Sequence, residues 1–516
     1  MIYQNPILPG FNPDPSIFAD GEDYYLATSS FEFFPGVPLY HSKNLINWEL
    51  IGYALDRESQ LPLGECRASR GIYAPTIRKH GGVWYMITTN VTWQKERRAN
   101  LIVHADDPAG PWSEPVYIDH EGIDPSLFFD DDGSCWYTGT DVKGPEQGIV
   151  LFRVDPMTGA ILSDKKIISY GWSHYCPEAP HLYKINGWYY LIIAEGGTEY
   201  GHMAVVGRSH HIDGPYDWRR DNPLVSNRDS KVNPIKGIGH ADIMQDANGN
   251  WWAVSLGFRT KHAQLHHLGR ETFLTPITWN GGWPYAADGG EVSLQMDAPL
   301  PKPETIVPVN DDKVFDFTAL DKLPLDFNFM RNPYPENYRL AGDGLHLTGT
   351  DVGISSMYGR PTWCGFRQTQ ADIHAEMTLG TDIAEGTMAG LTAFMMHSHH
   401  YEAGLCRQGG QLYAFLRKKL YDMETVKTFA LPDAPETVTV VIDADFNEYR
   451  FALMCGEKTI TLGTGMTAGL CTEVTEHMTF TGLYLSAFAE NGEAVVKKME
   501  YHVVKGFADD APRHTW

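Results

Sequence analysis

Short runs of alternating apolar and polar residues recur through the first three hundred residues, and each run stops at a turn sequence. Five segments share one order: a small or acidic residue, a strand-like run, a turn containing glycine, and a second run rich in aromatic residues. These segments are 14–29, 74–89, 124–138, 178–194 and 240–256. Alternation with a period of two and DG, GG, NG or GN at the corner are typical of β-hairpins. We therefore predict five similar hairpins.

The spacing of the hairpins predicts a β-propeller. The copies recur at roughly 50 to 60 residues, near the upper end of the periods of propeller blades. The stretches between them, such as 38–55 and 149–168, supply two further strands for each repeat. No long segment shows the 3.6-residue periodicity of an amphipathic helix, which disfavours an α/β barrel, the main rival scaffold for sugar hydrolysis.

The pattern changes after residue 298. The next segment has the composition of a stiff linker, with prolines at Pro299, Pro301, Pro303 and Pro308. Beyond it, alternating stretches predict antiparallel strands, among them 338–348, 390–396, 437–443 and 449–454. We therefore predict an all-β chain with a five-bladed β-propeller over 1–298, a linker over 299–312 and a β-sandwich over 313–516.

Composition and charge restrict the partners. Lys and Arg total 41 against 65 Asp and Glu, and the net charge of −24 repels nucleic-acid phosphates and anionic lipid headgroups. We expect neither nucleic acid nor a membrane as a partner, and a neutral oligosaccharide as the substrate. Residues 1–15 lack the features of a secretory signal, so we expect a cytoplasmic protein. Seven scattered cysteines without CxxC spacing indicate free thiols. Assembly into a homo-oligomer stays open.

Three carboxylates occupy related places in the repeat. Asp14 and Asp124 are each followed by Pro-Ser and share one repeat position, and we place Glu178 and His240 one position earlier in their copies. Equivalent positions of a propeller converge on a central cavity, because the innermost strands begin at one face. An Asp before Pro can also cap a turn. Three matched carboxylates favour a functional site over three separate caps.

Glycoside hydrolysis requires two carboxyl groups with opposed tasks. One protonates the departing oxygen, while the other activates water or attacks the sugar. The acid must keep its proton near neutral pH, which burial or a neighbouring negative charge can achieve. The residues alone favour Asp14 and Glu178 for the two main roles and Asp124 as a modulator, without deciding which residue is the acid and which the base.

Six segments resemble glycoside hydrolase family 43, especially its β-xylosidase and α-arabinofuranosidase branch. They are FNPDPSIF (11–18), SFEFFPGVPLYHSKNLINW (30–48), GIYAPTIR (71–78), GIDPSLFFDDDG (122–133), PEAPHLYK (177–184) and GHADI (239–243). The resemblance implies a five-bladed propeller and inversion of the anomeric configuration. It implies that Asp14 is the general base, Glu178 the general acid, and Asp124 the residue that tunes the acid. The Asp14 and Glu178 carboxyls should then lie about 6.5 to 9.5 Å apart.

The resemblance also assigns polar residues around the substrate. His240 matches an axial histidine that in some relatives contacts a calcium ion or water. We expect that no cofactor is required and leave a calcium ion near His240 open, because Ca²⁺ prefers oxygen ligands. Arg270 resembles an arginine that hydrogen-bonds substrate hydroxyls. A second arginine of the family has two candidates here, Arg67 and Arg70.

Aromatic residues of the same motifs resemble the walls around the terminal sugar. Phe31, Phe33 and Tyr73 are the candidates, and core packing is the competing account for Phe33, because strand alternation points it the same way as Phe31. Many relatives carry Trp where this chain has Tyr73. Residues 367–377 resemble the C-terminal sandwich of the same branch, in which a loop closes one side of the pocket; Phe480 is the candidate for the closing residue.

These observations predict an exo-acting, inverting glycoside hydrolase that releases a terminal pentose, with β-1,4-linked xylose from xylo-oligosaccharides as the favoured case. An α-L-arabinofuranosidase or a bifunctional enzyme is the alternative. A non-catalytic carbohydrate-binding propeller would keep the aromatic residues but would not need three carboxylates. A retaining fructosidase would carry a WMNDPNG motif, which this chain lacks. A structural propeller would have no deep acidic pocket.

Overall fold

Strands make up the regular structure of this chain. The computed structural model describes residues 1–92, 99–142, 147–261, 264–475 and 479–507. Across these ranges it contains no α-helix, and no helix in them is long and apolar enough to cross a membrane. The short 3₁₀ turns are Ala287–Gly290, Pro303–Thr305, Pro335–Asn337, Thr467–Leu470 and Thr472–Val474.

Five antiparallel sheets form the blades of a propeller. Their strands, blade by blade, are Ser16–Asp20, Asp23–Ala27, Gly36–Ser42 and Glu49–Leu55; Gly71–Ile72, Thr76–His80, Val83–Val91, Ala99–Ala105 and Val116–Tyr117; Gly122–Phe129, Cys135–Asp141, Gly148–Arg153 and Lys166–Ser169; Glu178–Ile185, Trp188–Glu195, Met203–Ser209 and Asp217–Trp218; Ile235–Gln245, Trp251–Arg259, Glu271–Asn280 and Trp283–Ala286. Each blade has four strands in sequence order, with Gly71–Ile72 as a short additional pairing in the second. The predicted five-bladed propeller is confirmed.

Local sequence explains the hairpins that build the blades. At the corner of the fourth blade, Asn186 and Gly187 have φ values of 51° and 79°, the left-handed pair that a type I′ turn requires. The inner strands lose burial towards their later residues: Ser16–Asp20 is buried at its first two positions and half-buried at the other three. The inner strand of the fifth blade, Ile235–Gln245, is buried at every position except the last.

The ring closes between the fifth and first blades. The inner strand Ser16–Asp20 contacts the inner strands of both neighbouring blades. The N-terminal segment strengthens the closure, because Ile2–Gln4 pairs with Gln295–Asp297 and the amide of Ile7 donates a hydrogen bond to the carbonyl of Thr272. The innermost strands therefore surround one axis, which gathers residues from distant parts of the sequence.

Two eight-stranded sheets form the C-terminal sandwich. One contains Lys313–Asp316, Tyr338–Ala341, Gly344–Thr348, Asp372–Gly380, Thr437–Ala444, Glu448–Cys455, Lys458–Met466 and Glu493–Lys505; the other contains Phe33–Phe34, Asn328–Met330, Thr362–Arg367, Met388–Met396, His399–Gln408, Gln411–Leu420, Met423–Ala430 and Tyr484–Glu490. Burial alternates strictly along Asp372–Gly380, so one face of that strand packs into the core between the sheets. The predicted β-sandwich is confirmed.

One strand joins the two domains. Phe33–Phe34 belongs by sequence to the first blade, yet it pairs with Asn328–Met330 at the edge of a sandwich sheet. This pairing attaches the sandwich next to the loop that carries the buried Phe31.

Candidate active site

The three predicted carboxylates meet at one end of the propeller axis. Asp124 is 9% exposed, and burial raises its pKa well above the ordinary value. The negative charges of Glu178 and Asp14 raise this pKa further, and Arg270 opposes them. Carboxylates influence each other in this way only at short range, so residues from three different blades share one site.

Asp14 lies at the enclosed bottom of this site and is 4% exposed. Arg270 donates from Nη1 to its Oδ1 at 3.0 Å, and the Ser29 hydroxyl donates to its Oδ2. Nδ1 of His240 lies 3.8 Å from the same Oδ1. The donors of Arg270 and Ser29 hold the Asp14 carboxylate in a defined orientation with its oxygens as acceptors.

A backbone irregularity aims these side chains at the axis. Asp14, Asp124 and His240 have φ values of 54°, 52° and 49°, the left-handed conformation that is uncommon for residues other than glycine. In the fourth blade, Ala179 has the corresponding conformation, with φ of 50°. The prediction that His240 sits one position earlier was therefore wrong: His240 is equivalent to Asp14 and Asp124, and only Glu178 precedes the irregular position.

Glu178 occupies a different environment from the other two acids. It is only half-buried, and Nε2 of Gln147 donates to its Oε1 at 2.8 Å. Because Glu178 pairs with Ala194 directly before a bulge, its side chain projects from the end of the fourth blade. The site thus combines enclosed carboxyls at the bottom with one accessible carboxyl at the mouth.

Arg270 connects the carboxylates to the sandwich and to Thr198. Its Nη1 also donates to Oγ1 of Thr198 at 3.0 Å, and its Nη2 donates to the carbonyl of Phe480 at 3.3 Å. Thr198 was not predicted from the sequence, because the loops that follow the second strands of the blades differ in length and sequence from blade to blade. A hydroxyl at this place can donate to a substrate oxygen or accept from a substrate hydroxyl.

Aromatic rings form one wall of the site. The ring centroid of Phe31 lies 5.2 Å from that of Tyr73 and 5.8 Å from that of Phe480, and the Arg270 guanidinium lies 5.3 Å from the centroids of Phe31 and Phe480. Tyr73 and Phe480 are half-buried. The structure therefore brings three of the four predicted aromatic residues together, one of them from the sandwich.

Phe33 lies elsewhere. It is fully buried, with its ring centroid 4.3 Å from that of Tyr484 and 5.6 Å from that of Trp363. Its assignment to the sugar wall is corrected, because a ring enclosed in the packing between the domains cannot contact a sugar. The expected alternation fails because Phe31 has a left-handed φ of 49°, which separates it from the strand that Phe33 begins.

The two candidate arginines point to different partners. Nη1 of Arg70 donates to the Tyr73 hydroxyl at 2.9 Å, on the aromatic wall. Nε of Arg67 instead donates to the hydroxyl of Tyr358 in the sandwich at 2.5 Å. This arrangement favours Arg70 as the family's substrate-contacting arginine.

The closing loop of the sandwich is tied to the propeller by Glu473. The Tyr200 hydroxyl donates to its Oε1 at 2.7 Å, and Nδ1 of His266 lies 2.6 Å from the same oxygen. Phe480 follows in the same connection, and its amide donates to Oγ of Ser69 at 3.0 Å. These contacts and the carbonyl of Phe480, which accepts from Arg270, fix the position of Phe480 next to the site.

A buried ion pair supports the site from below. Arg78 donates to both oxygens of Asp242, at 2.9 and 3.1 Å, and the Ser16 and Tyr183 hydroxyls donate to the same carboxylate. Burial alone would raise the pKa of Asp242, but the charge of Arg78 and these hydrogen bonds outweigh burial and hold the pKa well below the ordinary value. The network links the inner strands of four blades.

Replacing Asp242 with asparagine should lower the free energy of unfolding by about 3–5 kcal/mol, because the buried Arg78 charge loses its partner. The stabilisation is present above the unfolded-state pKa of about 4 and is lost as pH falls through the lower folded-state value. Urea unfolding at pH 7 and pH 3 measures both effects. Asp20→Asn is the matched control, since the exposed Asp20–Lys79 pair contributes about 0–1 kcal/mol. Equal losses in the two variants would contradict this role of Asp242.

The surroundings of His240 do not resemble a calcium site. Burial lowers the pKa of His240 to about 4, so the ring is neutral at pH 7. Its charged neighbour Asp14 already pairs with Arg270, whereas Ca²⁺ takes six to eight oxygen ligands. Among the residues that the structure describes, no group of three or more His, Cys, Asp or Glu side chains could hold a metal ion.

Glycoside hydrolysis requires two carboxyl groups with opposed tasks. This site has two carboxyls of different exposure, a third carboxyl that interacts with both, and a wall of aromatic rings. The fold and the site therefore define a glycoside hydrolase.

The chain belongs to glycosyl hydrolases family 43. The sequence model of that family matches residues 3–284, and the model of the beta xylosidase C-terminal concanavalin A-like domain matches residues 314–501. These two spans coincide with the propeller and the sandwich.

Three similar proteins illustrate the relationship. A non-reducing end alpha-L-arabinofuranosidase of Bacteroides ovatus is 38% identical over 95% of this chain and 92% of its own length. A beta-xylosidase of Bacillus subtilis is 38% identical over 68% of this chain and 71% of its own length. Among solved structures, a xylan beta-1,4-xylosidase of Bacillus halodurans is 29% identical with a TM-score of 0.90, covering 97% of this chain and 99% of its own. Glycosidase activity follows from this membership.

Proposed function

We propose that this glycosidase removes a terminal pentose from short plant-wall oligosaccharides with inversion of configuration. The single observation that carries the proposal is the arrangement of the acids, with Asp14 enclosed at the bottom of the pocket and Glu178 accessible at its mouth. Such a pocket accepts the end of a sugar chain, with the scissile bond beside Glu178.

Asp14 is proposed as the general base. Arg270 and Ser29 donate to its oxygens and leave the carboxylate able to accept a proton from a water molecule. An inverting reaction needs this water between the base and the anomeric carbon, on the side opposite the departing group. The enclosed position of Asp14 fits that place.

Glu178 is proposed as the general acid, which donates its proton to the glycosidic oxygen. The departing sugar leaves towards solvent, because Glu178 is the accessible carboxyl of the three. Asp124 interacts electrostatically with both partners and is suited to tune the acid. Phe480 contacts Phe31 and Arg270 from the sandwich, and this contact supports the proposal that the enzyme acts from chain ends.

Xylose in β-1,4 linkage is the favoured substrate unit, and arabinofuranose is the second candidate. The β-xylosidase relatives and the C-terminal domain model support xylose, whereas the Bacteroides ovatus relative, which spans more of this chain, is named an arabinofuranosidase. An enzyme that cleaves both pentosides would satisfy both observations.

Hydrolysis of nitrophenyl β-xyloside and nitrophenyl α-arabinofuranoside tests this proposal directly. We expect turnover of at least one of the two pentosides. Proton NMR during hydrolysis should show the inverted anomer as the first product. Retention of configuration, or no turnover of either pentoside, would refute the proposed reaction.

Asp124→Asn should shift the alkaline limb of the kcat/KM profile to lower pH by about one unit. Asp124 and Glu178 titrate as a coupled pair. The alkaline limb of the profile reports the loss of the last proton that this pair holds. A neighbouring negative charge disfavours loss of that proton, so removing the charge lets the acid deprotonate at lower pH. The profile from pH 4 to 9 measures the shift, and an unchanged limb or a shift to higher pH would contradict the assigned role.

Other aspects of the function stay predictions. We propose that catalysis requires no added cofactor, and dialysis against a chelator should leave turnover unchanged. A neutral oligosaccharide as the partner, with neither nucleic acid nor membrane, is proposed on the strength of the net charge of −24, and a cytoplasmic location stays a proposal.

A further inference from the structure

The segment that leads into Glu178 exposes aromatic side chains that the pocket itself does not use. Tyr175 is 63% exposed and Trp172 is 36% exposed. Single exposed aromatic residues are ordinary on a protein surface, so the position of these two relative to the site decides whether they can contact a ligand.

Contacts of the backbone place Tyr175 at the mouth of the site. Its carbonyl accepts a hydrogen bond from the amide of Gly196 at 3.0 Å. Two residues further on, Thr198 binds Arg270, and three residues after Tyr175 the chain reaches Glu178. Tyr175 therefore lies at the pocket end of the fourth blade, joined to both the proposed acid and the pocket lining.

The segment is held rigidly. Both carboxylate oxygens of the fully buried Glu195 accept from the amide of Ser173, at 3.1 and 2.9 Å. His174 and Cys176, on either side of Tyr175, have φ values of 60° and 50°. Left-handed conformations of residues other than glycine persist where the surrounding structure enforces them, and they concentrate at functional sites.

We propose that Tyr175 is the platform for the first sugar of the leaving group. This inference rests on the proposed function, since the acid must protonate the oxygen that joins the two sugars. The leaving sugar then lies on the solvent side of Glu178, where Tyr175 stands. A neutral sugar presents a face of C–H groups that packs on an aromatic ring while its hydroxyls stay hydrated.

A comparison of two substrates isolates the platform. A pentose trisaccharide, xylotriose or its arabinose counterpart, has a leaving sugar; the matching pentosyl fluoride has none and occupies only the pocket. For Tyr175→Ala, kcat/KM on the trisaccharide should fall about tenfold, equivalent to about 1.4 kcal/mol. The value on the fluoride should change less than about twofold. Tyr175→Phe should retain the wild-type ratio, because the ring remains.

Tyr117→Ala is the matched control, since Tyr117 is also exposed, at 52%, but lies on the outermost strand of the second blade. It should leave both substrates unaffected. If Tyr175→Ala changes both substrates equally or neither, the platform is refuted while the proposed function stands. Wild-type protein that cleaves neither substrate would refute the proposed function, and the platform with it. Turnover of the fluoride by Tyr175→Ala also shows that the variant is folded.

Discussion

Glu178→Gln should lower kcat on pentosides with sugar leaving groups by about 10²- to 10⁴-fold, the usual contribution of general acid catalysis. Glutamine keeps the shape of the side chain and can still contact Gln147, but it has no acidic proton for the glycosidic oxygen. KM should change little, because the variant retains the pocket walls and the Asp14–Arg270 pair.

The dependence on leaving group distinguishes loss of an acid from damage to the pocket. A pentosyl fluoride departs with much less help from a proton, so Glu178→Gln should retain most of its activity on that substrate. Glu114→Gln, the same chemical change at an exposed position that pairs with Arg57, is the control and should match the wild type. If kcat of Glu178→Gln falls equally on both substrates, Glu178 is not the general acid.

Asp14→Asn should reduce kcat by a similar factor, about 10²- to 10⁴-fold, on the fluoride as well as on the oligosaccharide. Activation of water is needed whatever the leaving group, so a better leaving group does not compensate for the missing base. Glu178→Gln is thus expected to lose activity mainly on the oligosaccharide, whereas Asp14→Asn is expected to lose it on both substrates. Steady-state kinetics on both substrates measures this contrast.

Asp14→Asn also removes the partner of a buried guanidinium. Arg270 is 4% exposed, and an uncompensated charge at such a position costs about 3–5 kcal/mol. Thermal unfolding must accompany the kinetics, at a temperature where the variant stays folded. Ser29→Ala keeps the charge pair and removes one hydrogen bond, so it should lose far less activity. A folded Asp14→Asn variant that still hydrolyses the fluoride would contradict the role of Asp14 as the general base.

Much of the site could be predicted because the repeat carries it. Asp14 and Asp124 stand before the same Pro-Ser sequence, and a ring of equivalent strands brings such positions to one axis. The register of His240 was predicted wrongly, although the spacing in the sequence already gives it: His240 stands three residues before Ile243, as Asp14 does before Ile17. In the structure Asp14, Asp124, Ala179 and His240 share the left-handed conformation.

Residues outside the repeat could not be placed from the sequence. Thr198 and Arg270 lie in loops that follow the second strands of neighbouring blades, and nothing local in either loop indicates that the two side chains meet. The ring of Phe33 is enclosed by Trp363 and Tyr484, more than three hundred residues away along the chain. Such packing depends on how two domains dock.

The sequence by itself determined the hairpins, the number of blades and the identity of the three carboxylates, because turn residues and alternation act between neighbours along the chain. Only the tertiary structure decided which acid is enclosed and which is accessible. It also decided that Phe480 from the sandwich lies against Phe31 and Arg270 and that Tyr175 is exposed. Burial and contact depend on segments that are distant in sequence, and the local pattern of residues does not encode where those segments meet.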